Sequence, residues 1–95
     1  MIPKRTYVEK MKDQLNDWQL DIDSLRARAD STAEPKRADY HERIAFLEKQ
    51  KQETEKKLQG IDNADEGSWE ALKEGYEKLR EDMQKSIKNA QNTFE

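Results

Sequence analysis

Apolar residues return along this chain at alternating steps of three and four. Val8, Met11, Leu15, Trp18, Ile22 and Leu25 set the pattern, Ala29 continues it, and nearly every position between them is charged or amidic. That spacing puts one narrow apolar stripe on one face of a helix, the form of a coiled-coil seam. Thr6 and Glu9 have the spacing of a capping box, which predicts that the helix begins near Tyr7. Within it Asp13, Asp17 and Asp21 form an acidic row at four-residue spacing. Each like pair costs about 0.2 to 0.5 kcal/mol in an isolated helix, so the row is either a solvated face or a place for nearby cations.

The passage from Asp30 to Pro35 admits two readings. A proline inside a helix removes a hydrogen bond and clashes with the preceding turn, but it fits a first turn, which Thr32 can cap. That second arrangement makes a three-helix bundle with a break at 31–35. Against it, Ile22, Leu25, Ala29, Ala33, Lys36, Tyr40, Ile44 and Leu47 keep the three-four rhythm, and no glycine stands here to close a helix. The favoured expectation is therefore one long helix over about residues 7–59, kinked near Pro35. Beyond Leu47 the stripe turns polar at Lys51 and Thr54 before Leu58. Asp39 with Arg43 and Glu53 with Lys57 have the spacing of same-helix ion pairs.

Residues 60–68 form the clearest break, with Gly60 placed to end one helix and Asp65 or Ser68 to cap the next. The last stripe is Trp69, Leu72, Tyr76, Leu79, Met83, Ile87, Ala90 and Phe94, predicting a helix over about 69–93 that packs antiparallel to the one before. The expected fold is thus all-α, a single coiled-coil domain with an N-terminal seam segment (7–34) and a helical hairpin (35–94). A 25-residue partner helix reaches back only to about Pro35, so Tyr7 to Glu34 must fold back as a third helix or find a second molecule. A homo-oligomer, most simply a dimer, follows from the long-helix reading, with an unidentified protein partner as the other possibility. The expected interaction seam comprises Val8, Met11, Leu15, Trp18, Ile22, Leu25, Trp69, Leu72 and Tyr76.

Composition narrows the function classes. Of 95 residues, 33% are hydrophobic and 41% charged, so any core is a stripe rather than a broad interior. Eighteen basic and twenty-one acidic residues leave a net charge of -3, without the basic face that neutralises nucleic-acid phosphates. No cysteine is present to form a disulfide or a thiolate metal site. The start of the chain lacks the apolar core of a signal peptide, and no run is long enough to span a bilayer, so a soluble cytoplasmic protein is expected.

Motifs of chemistry fail on inspection. The loop from Asp62 to Gly67 has the outline of a calcium loop, but Ala64 takes the third position and Lys73 the twelfth, where a bidentate Glu is needed. His41-Glu42 opens like a zinc-protease helix, yet Ala45 stands where the second histidine must be. With one histidine and no glycine-rich phosphate loop, no catalytic residue, cofactor or metal ligand is expected. Trp18 and Trp69 fall on the seams and are read as packing anchors. A lipid-surface helix favours a cationic polar face, whereas these polar faces mix both signs. Apolipoprotein-like lipid binding stands as the alternative function to association between helices.

Tyr7, Lys10, Gln14-Leu15, Trp18, Ile22 and Leu25, then Tyr40, then the string Trp69-Glu70-Ala71-Leu72-Lys73-Glu74-Gly75, together carry a resemblance that covers most of the chain. It is similar to a family of small bacterial coiled-coil proteins, found in cyanobacteria and proteobacteria and loosely described as stress-response proteins. Relatives have an uninterrupted alanine-rich passage where this chain has Pro35, and often an aromatic where it has Arg80. The resemblance implies a non-enzymatic role in a stress setting, with no catalytic site to carry over.

Overall fold

The computed structural model describes residues 3–93 and is entirely helical over its regular elements: α1 (Lys4–Asp30), α2 (Lys36–Asn63) and α3 (Trp69–Thr93). The all-α class holds, and the arrangement is the three-helix bundle rather than the long kinked helix. The chain runs up, down and up in a rod of 52 × 19 × 17 Å.

What reverses the chain at 31–35 is polar chemistry local to the turn. The Ser31 and Thr32 amides donate to the carbonyls of Arg28 and Ala29, tightening the last turn of α1 without a left-handed residue. Both hydroxyls turn backwards, Ser31 to the Ala27 carbonyl and Thr32 to that of Arg28 at 2.7 Å. Thr32 therefore closes α1 instead of capping α2, contrary to expectation. Arg37 Nε donates to the Thr32 carbonyl at 2.8 Å across the turn. Pro35, joined to Glu34 by a cis peptide, sits at the N-cap of α2, where its missing N–H is no loss. Ala33 and Lys36, whose spacing continues the stripe across the turn, are exposed.

The other boundaries shift by about one turn at most. Helix α1 starts at Lys4, with Pro3 as N-cap, so Thr6 lies inside it and the capping box does not form. Glu9 pairs instead with Arg5 at 3.5 Å. The lysine that opens α1 donates its ammonium to the Asp62 and Ala64 carbonyls at 3.0 and 2.6 Å, satisfying groups exposed where α2 ends. Gly60 is helical with negative φ and does not end α2, which runs on to Asn63. Before α3 the Asp65 carboxylate is held by the Ser68 hydroxyl and by the Ser68 and Gly67 amides, which keeps its pKa below the usual value.

One core joins the three helices. From α1 it takes Tyr7, Val8, Met11, Leu15, Trp18, Ile22, Leu25 and Ala29, and α2 contributes Tyr40, Ile44, Leu47, Leu58 and Ile61. Thr54 fills the polar gap in the α2 stripe, fully buried, its hydroxyl donating to the Gln50 carbonyl at 2.8 Å. Of the α3 stripe, Trp69, Tyr76, Met83, Ile87 and Ala90 enter the core, Leu79 is half-buried and Leu72 is exposed. Phe94 lies outside the described residues. Neither Asp39 with Arg43 nor Glu53 with Lys57 closes into an ion pair. Lys51 pairs with Glu55, and Arg26 reaches from α1 to Glu48 of α2.

The reversal sets a distance that separates the two architectures. Spin labels at Asp13 and Glu53, in molecules diluted with unlabelled protein, should lie within about 25 Å of each other, given interaxial spacings near 10 Å. A continuous helix would hold them roughly 60 Å apart, so a long distance would overturn the bundle.

Candidate functional site

Eight of the nine residues expected to form an association seam are inside the bundle: Val8, Met11, Leu15, Trp18, Ile22, Leu25, Trp69 and Tyr76. The α1 stripe that lacked a mate in the long-helix reading is covered by the chain itself, so a second molecule is not needed to bury it. Leu72 is the exception at 45% exposure.

At the end of the rod where α1 begins, α1 and α3 are tied by a cluster that sequence spacing did not reveal. The rings of Tyr7 and Trp69 lie 5.6 Å apart, and Tyr7 meets Tyr76 edge-on at 6.1 Å. Lys73 places its ammonium 5.0 Å from the Tyr7 ring centre and 5.7 Å from that of Trp69, within cation–π range. The Tyr7 hydroxyl donates to Glu77 Oε1 at 2.5 Å, and Arg80 donates to Glu77 Oε2 at 2.9 Å and to Gln14 Oε1 at 2.5 Å. Helical spacing within α3 aligns Lys73, Glu77 and Arg80, but no spacing in the sequence pairs them with Gln14 or Tyr7, more than sixty residues away. The aromatic cradle is filled by the protein's own cation. Burial, then the bond to Glu77, drives the Tyr7 hydroxyl pKa far above its ordinary value, the reverse of what a nucleophile or base needs. The cluster is a clamp between α1 and α3.

Elsewhere the sequence candidates stay apart. Asp13 and Asp17 are exposed and Asp21 half-buried, with no ion pair to any of the three; burial and the charge of Asp17 raise the Asp21 pKa. This is the solvated face. Among the described residues no group of three or more His, Cys, Asp or Glu side chains is placed to hold a metal ion. No described helix is long and apolar enough to cross a membrane.

Among the open depressions of the described residues, one of about 800 Å³ runs as a groove along the outside of α2 and α3. Its floor is Gly60, Ala71, Leu72, Gly75 and Leu79, and Glu53, Lys56 and Lys57 stand along its rim. Both glycines are helical with negative φ, and a Cβ added at either would meet no atom within 4 Å. Glycine in a helix interior costs about 1 kcal/mol relative to alanine. Neither backbone conformation nor internal packing requires it here. The sequence signal was present in Gly75, a lone glycine inside an otherwise regular helix pattern.

No protein-family model, curated protein or solved structure matches the chain. The functional reading therefore rests on the geometry.

Two tyrosines of the clamp should respond in opposite directions. Tyr76 is fully buried and its hydroxyl has no partner, so Tyr76→Phe should raise stability by about 1 kcal/mol in urea unfolding. Tyr7→Phe removes a hydrogen bond to a carboxylate and should lower stability by about 1 to 2 kcal/mol. Equal signs would contradict the two environments.

The clamp also carries a pH dependence. Burial tends to raise the Glu77 pKa, but the bonds from Tyr7 and Arg80 and the charges of Arg80 and Lys73 outweigh it, leaving the group below its ordinary value of 4.5. The unfolded chain then takes up this proton at higher pH than the folded one. The stabilisation is complete above about pH 4.5 and is lost as pH falls through the folded value. Glu77→Gln should lower stability at neutral pH and flatten the decline between pH 5 and 3; an unchanged slope would show that Glu77 does not contribute to it.

Proposed function

We propose that this protein is a non-enzymatic helical association module, which uses the groove between α2 and α3 to hold another helical surface. One observation carries the reading: Leu72 and Leu79 stand beside two glycines whose Cβ positions open onto empty space, an apolar floor to which another backbone can come close. The upward shift of the Tyr7 and Tyr76 hydroxyls favours binding over chemistry. The resemblance to small bacterial coiled-coil proteins favours a role in a stress response, in the cytoplasm. Its departure at Pro35 coincides with the reversal that encloses the α1 stripe. Association is therefore assigned to the α2–α3 groove and not to the Val8–Leu25 stripe.

The mixed signs of the rim distinguish this from binding to a lipid surface, which would draw on a cationic face. Immobilised protein should capture a partner from extracts of stressed cells, and Gly75→Lys, whose Cβ meets no atom within 4 Å and whose side chain extends into the groove region, should lose it. Retention of the same partner by Gly75→Lys would remove the groove from the function. Binding to anionic vesicles that survives Gly75→Lys would favour the lipid alternative.

A further inference from the structure

Helix α3 carries more apolar surface than the core covers. Its stripe spans Trp69, Leu72, Tyr76, Leu79 and Met83, but only Trp69, Tyr76 and Met83 are buried, and Leu72 and Leu79 border the groove. Leu20 and Phe46, the other large exposed apolar residues among the described ones, do not line it. We propose that the occupant of the groove is a second copy of this chain, docked face to face about a two-fold axis that crosses the groove at right angles to the helices. This rests on the groove being the association surface, and it adds the identity and register of the partner.

The case comes from self-complementarity. A two-fold axis crossing α2 midway between Glu53 and Lys57 brings Glu53 of each copy to Lys57 of the other. One crossing α3 midway between Gly75 and Leu79 seats each Leu79 over the other copy's Gly75, a knob entering a vacant hole. These are not two axes. Helices α2 and α3 are antiparallel, residues 53–60 and 71–79 line the same groove, and so the Glu53 end of α2 lies beside the Leu79 end of α3. Both midpoints then fall at about the same height along the rod, within a helical turn of 5.4 Å. One axis satisfies the charges and the shape together.

Three further observations fit a second copy. Among the described residues Glu53, Lys56 and Lys57 form no ion pair within the chain, so each is available to a partner. A partner of one charge sign would meet repulsion from part of this rim, whereas a second copy matches both signs. A rod side of 52 by 19 Å can supply the roughly 800 Å² per partner that specific complexes bury. The net charge of -3 opposes pairing only weakly.

The test is sedimentation equilibrium of the full chain, with circular dichroism confirming that each variant keeps its helix content. The wild type should dimerise reversibly in the micromolar range, and Gly75→Lys should be monomeric at the same concentrations. Glu53→Lys and Lys57→Glu should each weaken the dimer about tenfold, and the double exchange should recover most of the loss, because it restores opposite signs across the axis. With helix content unchanged in all three variants, recovery of dimer affinity reports the two groups meeting across the axis rather than within one helix. A wild type that stays monomeric into the millimolar range, a dimer untouched by Gly75→Lys, or a double exchange weaker than either single one would overturn the proposal. Groove-dependent capture of another protein by a monomeric chain would leave the association reading standing and remove only the second copy; loss of both would remove both.

Discussion

The constraint on which this bundle depends is the covering of the α1 stripe. Eight apolar residues from Tyr7 to Ala29 face one direction on a helix otherwise made of charge, and such a helix gains most of its stability from packing rather than propensity. With a third of the chain hydrophobic, the core is a narrow one that all three helices must share. Helix α2 is the element in the middle, joined to both neighbours by short turns, and its weak centre around Thr54 is tolerated because the hydroxyl bonds its own helix. The α1–α3 contact has no connecting turn to enforce it. The Tyr7, Glu77, Arg80 and Gln14 clamp supplies a polar tie there, at the end of the rod where the aromatic rings converge.

The helical stripes were legible because a period of 3.6 leaves a mark on every turn, and the buried residues of α1 are the ones the spacing picks out. The reversal at 31–35 was not, for a physical reason. Stripes on two antiparallel helices joined by a tight turn can keep a three-four rhythm straight through the connection, so periodicity alone cannot separate a turn from a continuation. The deciding interactions are the backward bonds of Ser31 and Thr32 and the reach of Arg37 to the Thr32 carbonyl. They involve residue types that also suit exposed helix positions. The expected glycine signal was absent because the turn closes without positive φ. Conversely, Gly60 looked like a terminator and lies within α2, since a helical glycine with open space beside it is allowed to continue.

The clamp was illegible for a different reason. Its partners are separated by 66 and 70 residues, and only the packing of α1 on α3 brings them together. Within α3, Glu77 and Arg80 already form an i,i+3 pair, a kind that contributes little on an exposed helix. Tyr7 changes its weight by bringing a hydroxyl from α1 to the carboxylate. Two neighbouring tyrosines therefore differ: the Tyr7 oxygen reaches Glu77, while the Tyr76 oxygen is carried inside with its ring and finds no partner. Burying that hydroxyl is a cost accepted for the large apolar ring attached to it.

Leu72 shows where an association surface separates from a core in so narrow a fold. A three-helix bundle covers only an arc of each helix, and α3 carries apolar residues on a wider arc than Trp69, Tyr76 and Met83 occupy. If the surplus were incidental, helix stability alone would favour alanine at position 75, where a Cβ meets nothing within 4 Å and would help the helix by about 1 kcal/mol. Glycine there keeps the backbone accessible beside two leucines and a rim of unpaired charges. For a chain of 95 residues with modest burial, that is a measurable fraction of the stability available to a small domain. It has a physical rationale once something outside the bundle occupies the space.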